Sequence, residues 1–496
     1  MNQVLQTVGL FLLCLVPSLG FAMERVSLQN LLAATGGQAV GFTQSDVSID
    51  GVTLDSRTVD SGDLFWAVAG ENHDGHEFAT AAVTHGAIGS VVRAARAGEF
   101  SGPRIVVDDT HLALQRFSRW YRAQRDALII GVTGSVGKTT TREMIHSVLS
   151  SRYKGTRSPL NFNNHFGLPL SLLEIKQEHE FAVIEMGASA PGEIRSLAET
   201  AIPEIGVITA IGPAHLTGFG DEAGIVNAKA ELVEALPSSG FAVLSGDDPL
   251  VRQLAARAHC RVVLVGESEG NKLRAENVEI TNKSIRFRVD GSNYCVRAAG
   301  RHHLTGALAA ITIAREIGMG PDDIARGLSS FVPLAGRCRI EEIAPWTVID
   351  DTYNANPRSM QAAVEIIRDW TGPGKRVLVT GDMLELGERS DAYHRQWGNI
   401  AGEAGIDCLL AFGDQAGEVV QGAQSVGMES HRLAQCHDFE MIFALLDCWL
   451  EPGDVVLVKG SRATRMERII DWMRTRTNEG MNTKENLSRS AKRAVA

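Results

Sequence analysis

The stretch Ala127–Met144, ALIIGVTGSVGKTTTREM, limits what the rest of the chain can be. An apolar, β-prone run from Leu128 to Val132 passes through Gly134, Ser135 and Gly137 into a polar, helix-compatible segment after Lys138. Strand, glycine-rich turn and helix start form the layout of a phosphate-binding loop. Glycines let backbone N–H groups turn inward on an anion, and the helix N-terminus adds partial positive charge. In such a loop Lys138 reaches the β- and γ-phosphates, the Thr139 hydroxyl holds Mg²⁺, and Thr140 continues the nucleotide-binding segment. The usual pattern asks for glycine where Val132 stands. The plainer alternative is a glycine-rich turn with a surface lysine. The order of strand, glycines, Lys and Thr favours the nucleotide site.

A chain of 496 residues is too long for one core, and its length predicts about three domains. A net charge of −11 gives no whole-protein basic field, which argues against a nucleic-acid partner but not against an anionic small molecule. The seven cysteines are scattered, odd in number and free of any C-x-x-C pair. That pattern reads as a reducing compartment with no zinc site. Val8 to Ala22 is apolar but too short to span a membrane. No Lys or Arg precedes it, as an export signal requires. Residues 1–22 read either as an export signal or as an extension upstream of a start at Met23; an ATP-dependent enzyme has little ATP outside the cytoplasm, which favours the second, and a cytoplasmic chain without a stable membrane anchor is expected.

Residues 23–110 read as a small α/β domain. Ser27 caps a helix ending near Gly36, short strands follow, and a helix turns Phe78, Ala82 and Val83 inward. Asp55-Ser56-Arg57, taken alone, is a surface turn. Residues 111–332 read as a linker helix, with Leu112, Leu114, Phe117 and Tyr121 on its inner face, and a central ATP-binding domain. There strands at 181–186, 205–211 and 242–245 alternate with helices, which predicts a mainly parallel sheet. Ligands of such sheets sit beyond the strand C-termini. Glu185 ends one strand there and reads as a Mg²⁺ ligand rather than an ordinary strand-end charge. His215 follows a second such run; a loop histidine alone is most often structural. Lys229, on a helix with Ile225, Leu232 and Leu236, reads from its surroundings as a solvated lysine. Residues 333–477 repeat strand, glycine and polar loop, as in a Rossmann-like doubly wound domain. Residues 478–496 are polar and read as a disordered tail.

Several ordered strings resemble those of the Mur ligases, ATP-dependent amide-forming enzymes of peptidoglycan precursor synthesis. They are Asp55-Ser-Arg57, Thr133–Thr139, Asn163-Asn164, Glu185-Met-Gly-Ala188, Ile211–Leu216, Asp350–Pro357 with Ser359, Gly381–Gly387 and Lys459-Gly-Ser461. The resemblance runs from Ser27 to about Ile470. It implies ATP and Mg²⁺ as cofactors, with UDP-N-acetylmuramoyl-tripeptide and D-alanyl-D-alanine as substrates of a monomeric enzyme. The γ-phosphate of ATP turns a carboxylate into an acyl phosphate, and an amine displaces the phosphate. By resemblance Thr139 and Glu185 hold one metal. His215 and Lys229 serve a second, with Lys229 carbamylated by CO₂. Arg337 and Asp351 close the third domain on the nucleotide. Asn356 and Ser359 face substrate, and Asp55, Ser56 and Arg57 lie near the uridine nucleotide.

The family pattern Gly-x-His-Asn-x-x-Asn, near adenine, is here Gly300-Arg-His302-His303-Leu-Thr-Gly306. Asn-Asn-Glu-Ile-Gly is here Asn163-Asn164-His165-Phe166-Gly167, and the Asn usual before Ile-Gly is Ala210. Two other readings stand beside this one: a sister ligase adding a single amino acid, and a nucleotide-binding module without turnover.

Overall fold

The computed structural model describes residues 21–43, 46–70 and 73–476. The expected tail at 478–496, and the expected N-terminal extension up to residue 20, lie outside them. Phe21 and Ala22 already belong to a strand, Phe21–Ser27, that pairs antiparallel with Ser48–Thr53.

Three main sheets carry the molecule. The first has six strands in the order Phe21–Ser27, Ser48–Thr53, Asp63–Trp66, Gly89–Arg93, Arg104–Val107, Gln38–Val40. Its inner four are parallel and both edges are antiparallel. Ser27 caps the helix Leu28–Thr35 by accepting from the Asn30 N–H, and Gly36 ends it at φ +72°. Leucine, valine and aromatic side chains from these strands share a core with the helix Thr110–Arg122. That helix buries Ala113, Leu114, Phe117 and Tyr121 in the N-terminal core, so it is more than a connector. Leu112, expected inside, is 51% exposed, and Phe78 is likewise 42% exposed while Ala79 and Ala82 are buried. In both helices the small residue beside the large one takes the inner face.

The central sheet has seven strands, all parallel, in the order Leu273–Arg274, Arg261–Gly266, Phe241–Ser245, Ile205–Ile208, Leu128–Thr133, Phe181–Glu185, Gly155–Arg157. Its strands are nearly continuous apolar runs because helices cover both faces. Separate apolar clusters lie on the two sides. A three-stranded antiparallel sheet, Glu276–Ile280, Ile285–Val289 and Ser292–Val296, was not anticipated. It buries Ile285, Phe287 and Val289 and exposes the two arginines between them.

The C-terminal sheet runs Arg339–Ile343, Trp346–Asp351, Val455–Lys459, Arg376–Gly381, Cys408–Phe412, Leu433–Cys436. It is parallel except for its first edge. Apolar clusters again cover both faces. The strand C-termini of the central sheet, the loops after them and the segment leading into the C-terminal sheet define the site described next. Among the described residues no helix is long and apolar enough to cross a membrane.

Candidate active site

The phosphate loop is built by two left-handed glycines. Gly134 has φ +149° and Gly137 has φ +83°, the latter at the N-cap of the helix Lys138–Leu149. A Cβ on Gly134 would stand 2.1 Å from the Thr209 Oγ1, so no other residue fits without moving that neighbour. The Thr209 hydroxyl donates to the Val136 carbonyl at 2.6 Å, and the Ala210 carbonyl accepts from the Ser135 N–H at 2.7 Å. The loop after the strand Ile205–Ile208 thus clamps the glycine loop in shape. The Lys138 ammonium donates to the Gly134 carbonyl at 2.8 Å. Burial lowers its pKa, and the nearby Glu185 only partly restores it.

Glu185 ends the strand Phe181–Glu185 and is 1% exposed. The Arg142 Nη1 donates to its Oε2 at 3.1 Å, and the Asn163 Nδ2 to its Oε1 at 2.8 Å. Burial alone would raise this carboxyl; Arg142, Lys138 and Asn163 outweigh that and hold it below the usual range. Each oxygen keeps a second lone pair. The buried carboxylate at this strand end and the Thr139 hydroxyl at the start of the phosphate-loop helix are oxygen donors of the kind that suit Mg²⁺. Arg142 was not singled out in the sequence; a charged residue on a helix face carries no sign of burial, and only the fold turns it onto Glu185.

Lys229 lies on the helix Glu222–Ala235 and is 3% exposed. The residue-only expectation of a solvated lysine is therefore overturned: the helix turns it inward beneath the Phe219 ring, 5.5 Å from its centroid. Burial, then the charge of Lys138, lowers its pKa to about 7. Gly134, Ser135, Lys138, His215 and Lys229 line one small cavity with Phe219. His215 stands at φ +52°, and its Nδ1 pairs with Glu385, a residue of the C-terminal unit that is also left-handed, at φ +63°.

The Arg337 guanidinium lies 3.8 Å from the Tyr353 ring centroid and donates to the Thr139 Oγ1 at 3.2 Å. It thus meets the phosphate loop from the C-terminal side. The Asp351 carboxylate accepts from Lys459 at 2.5 Å and from the Cys338 N–H at 3.2 Å. Asn356 and Ser359 are engaged with each other. The Asn356 Oδ1 accepts from the Ser359 N–H and the Ser359 Oγ accepts from the Asn356 N–H, a capping box on the helix Pro357–Arg368. Asp55, Ser56 and Arg57 sit after the strand Ser48–Thr53, away from this cluster. The Arg57 guanidinium donates to both Asp55 oxygens, which holds that carboxyl low, and the Ser56 carbonyl accepts from His85 at 2.7 Å. Thr140 lies in the first turn of the phosphate-loop helix, half buried.

The departure at Gly306 has a packing cause. A Cβ there would stand 2.9 Å from the Thr141 Oγ1, where the helix His303–Glu316 crosses the phosphate-loop helix.

Comparison with known proteins matches three family descriptions in order along the chain. These are the Mur ligase family, catalytic domain, at residues 48–122; the Mur ligase middle domain at 132–314; and the Mur ligase, glutamate ligase domain at 336–462. The UDP-N-acetylmuramoyl-tripeptide–D-alanyl-D-alanine ligase of Bacillus subtilis is 33% identical over 453 residues, covering 90% of this chain and 98% of that protein. The ligase of the same name from Escherichia coli is 34% identical over 456 residues, with the same coverage. Among solved structures, MurF from Acinetobacter baumannii superposes with a TM-score of 0.84 at 31% identity, over 92% of this chain and 100% of that one. MurF ligase from Thermotoga maritima, in complex with ADP, superposes with a TM-score of 0.76 at 30% identity, over 86% and 98%.

Proposed function

The chain belongs to the Mur ligase family, and from that premise we propose that it joins D-alanyl-D-alanine to UDP-N-acetylmuramoyl-tripeptide at the expense of ATP. The product is the UDP-N-acetylmuramoyl-pentapeptide used in peptidoglycan synthesis. The observation that carries the reading is identity at 33% across 90% of the chain with a ligase of that name. The cavity that gathers Lys138, His215 and Lys229 agrees with it.

The chain's own groups divide the work. The loop amides from Gly134 to Thr139, with Thr140 behind them, receive the phosphates, and Lys138 exchanges the Gly134 carbonyl for the γ-phosphate. Thr139 and Glu185 would hold one Mg²⁺, and His215 with the carbamate oxygens of a carbamylated Lys229 would hold a second; bound there, the ions would neutralise charge spreading over the transferring phosphoryl group. A pKa near 7 leaves much of Lys229 as the neutral amine at physiological pH, which is the form that takes up CO₂ as a carbamate. Arg337 closes from the C-terminal side on the loop, and Asp351 fixes the segment that carries it through the Cys338 N–H. Asn356 and Ser359 shape the loop that faces the incoming amine. Asp55, Ser56 and Arg57 receive the uridine-nucleotide end. Units at about 23–110, 111–332 and 333–477 supply these parts, in a cytoplasmic monomer without a membrane anchor.

Phosphate release from ATP and Mg²⁺ tests the reading, with the two substrates supplied separately and together. Release that needs both, with a pentapeptide product by mass, supports it. Release with a single amino acid in place of the dipeptide makes the protein a sister ligase. No release with ATP bound makes it a binding module. Carbamylation is read separately by ¹³C NMR under ¹³CO₂, as a carbamate resonance absent from Lys229→Ala.

A further inference from the structure

Three nitrogen and sulfur donors meet where the central unit joins the C-terminal one. His302 and His303 open the helix His303–Glu316, and Cys338 directly precedes the strand Arg339–Ile343. One ligand atom from each lies within 4.8 Å of the other two. The two imidazole rings are 4.0 Å apart between centroids. His303 is 3% exposed, and neither of its ring nitrogens has a hydrogen-bond partner. Leaving a buried polar group unpaired is unfavourable, and such groups in native proteins commonly face an ion or water. Cys338 is 6% exposed and is held at φ +54°, a conformation that side chains other than glycine rarely take. Its N–H is anchored on the Asp351 carboxylate. His302 is exposed and opens the cluster to solvent.

We propose that His302, His303 and Cys338 form a site for a thiophilic divalent cation of the zinc class, tying the start of the helix His303–Glu316 to the segment that enters the C-terminal unit. Two imidazoles and a thiolate are the ligand types that zinc takes in a tetrahedral site, with the fourth position left to water. They do not suit Mg²⁺, which takes oxygen ligands. Ligand atoms of a tetrahedral zinc site stand about 3.5 Å apart, and those of this cluster all lie within 4.8 Å of one another. The thiol gives its proton to solvent as the sulfur–metal bond forms. The spacing of the cysteines carries no zinc signature, because two of the donors are histidines from another element of the chain. The site shares no residue with the groups that would hold Mg²⁺, but His302 and His303 stand in the segment that the family resemblance places near adenine, and the neighbouring Arg337 donates to Thr139 in the phosphate loop. An ion that fixes Cys338 also restrains Arg337, so zinc slows turnover in the presence of excess Mg²⁺.

Cobalt(II) is the probe, added to the full-length protein without nucleotide. The expected result is a thiolate-to-cobalt charge-transfer absorption at one ion per chain, displaced by zinc and not by excess Mg²⁺. Cys338→Ser should lose the band while Cys408→Ser keeps it, and His303→Asn should bind at least tenfold more weakly. Micromolar zinc should lower kcat several-fold in the unaltered protein and leave Cys338→Ser unaffected. No thiolate band in the unaltered protein would overturn the proposal, whatever the variants do. So would a band that survives in a folded Cys338→Ser, or one that excess Mg²⁺ removes. The cobalt spectrum does not depend on ligase turnover, so its outcome stands apart from the proposed function.

Discussion

Lys229 shows what burial does to a single residue. Its ordinary pKa of 10.5 falls to about 7 because the helix Glu222–Ala235 takes it out of water. The folded state therefore binds fewer protons than the unfolded state between those values, and stability rises with pH across that window. Below pH 7 the burial penalty is fully present. In the metal-free protein, held so by a chelator, the free energy of unfolding should climb between pH 7 and pH 9 by up to about 1.4 kcal/mol per unit. Lys229→Met should flatten that slope in denaturant titrations; an equal slope in the variant would assign it to another group. Lys138→Ala should lower kcat by about 10²–10³-fold, the usual effect of removing one donor to a developing charge, read as phosphate release with both substrates present. Lys138 was legible in the sequence because its chemistry depends on adjacent residues. Lys229 was not legible from its own surroundings, since alanines and a glutamate beside it say nothing of the Phe219 ring that covers it. The strings resembling the Mur ligases pointed to it instead. Arg142, Asn163 and Glu385 hold Glu185 and His215 through contacts that no local pattern encodes.

At the scale of elements, the parallel strands were the easiest to read, because each is an apolar run covered on both faces and closed by glycine or polar residues. The three-stranded sheet at Glu276–Val296 was missed although Ile285, Phe287 and Val289 alternate with arginines. Its strands are short and charged, and their inner face is set by packing on the helix Pro321–Ser330. The helix Pro357–Arg368 raises a sharper question. Asn356 and Ser359 were expected to face substrate, yet their side chains cap this helix. Asn356→Ala should lower the stability of the chain by about 1 kcal/mol, measured by urea unfolding. Asn356→Asp keeps an N-cap acceptor and should restore that loss. If KM for D-alanyl-D-alanine rises in the Ala variant and recovers in the Asp variant, the residue acts by shaping the loop. If the Asp variant is stable but its KM stays high, the amide itself meets the dipeptide.

At the scale of the whole molecule, the central and C-terminal units are joined by polar contacts that centre on the nucleotide loops. Arg358, on the helix Pro357–Arg368, donates to the Asp248 Oδ2 at 2.6 Å and to the Ile211 carbonyl. Asp248 is buried and also accepts from the Ile211 N–H at 3.1 Å. Arg358 therefore grips the loop between the strand Ile205–Ile208 and His215. The pair of His215 with Glu385 is partly exposed, at 38% and 29% of the side chains, and solvent screening holds such a pair to about 1 kcal/mol or less. Arg358, with one partner buried, is the stronger tie. Closure matters because an acyl phosphate hydrolyses wherever water reaches it. Arg358→Ala should thus raise the radius of gyration of the ATP-free protein in small-angle scattering. With both substrates present it should also release more than one phosphate per pentapeptide formed. Glu385→Gln should change the radius of gyration less than Arg358→Ala does. A phosphate-to-pentapeptide ratio that stays at one in Arg358→Ala would mean that apolar contacts, such as those around Gly300 and Ile366, hold the units shut without the arginine.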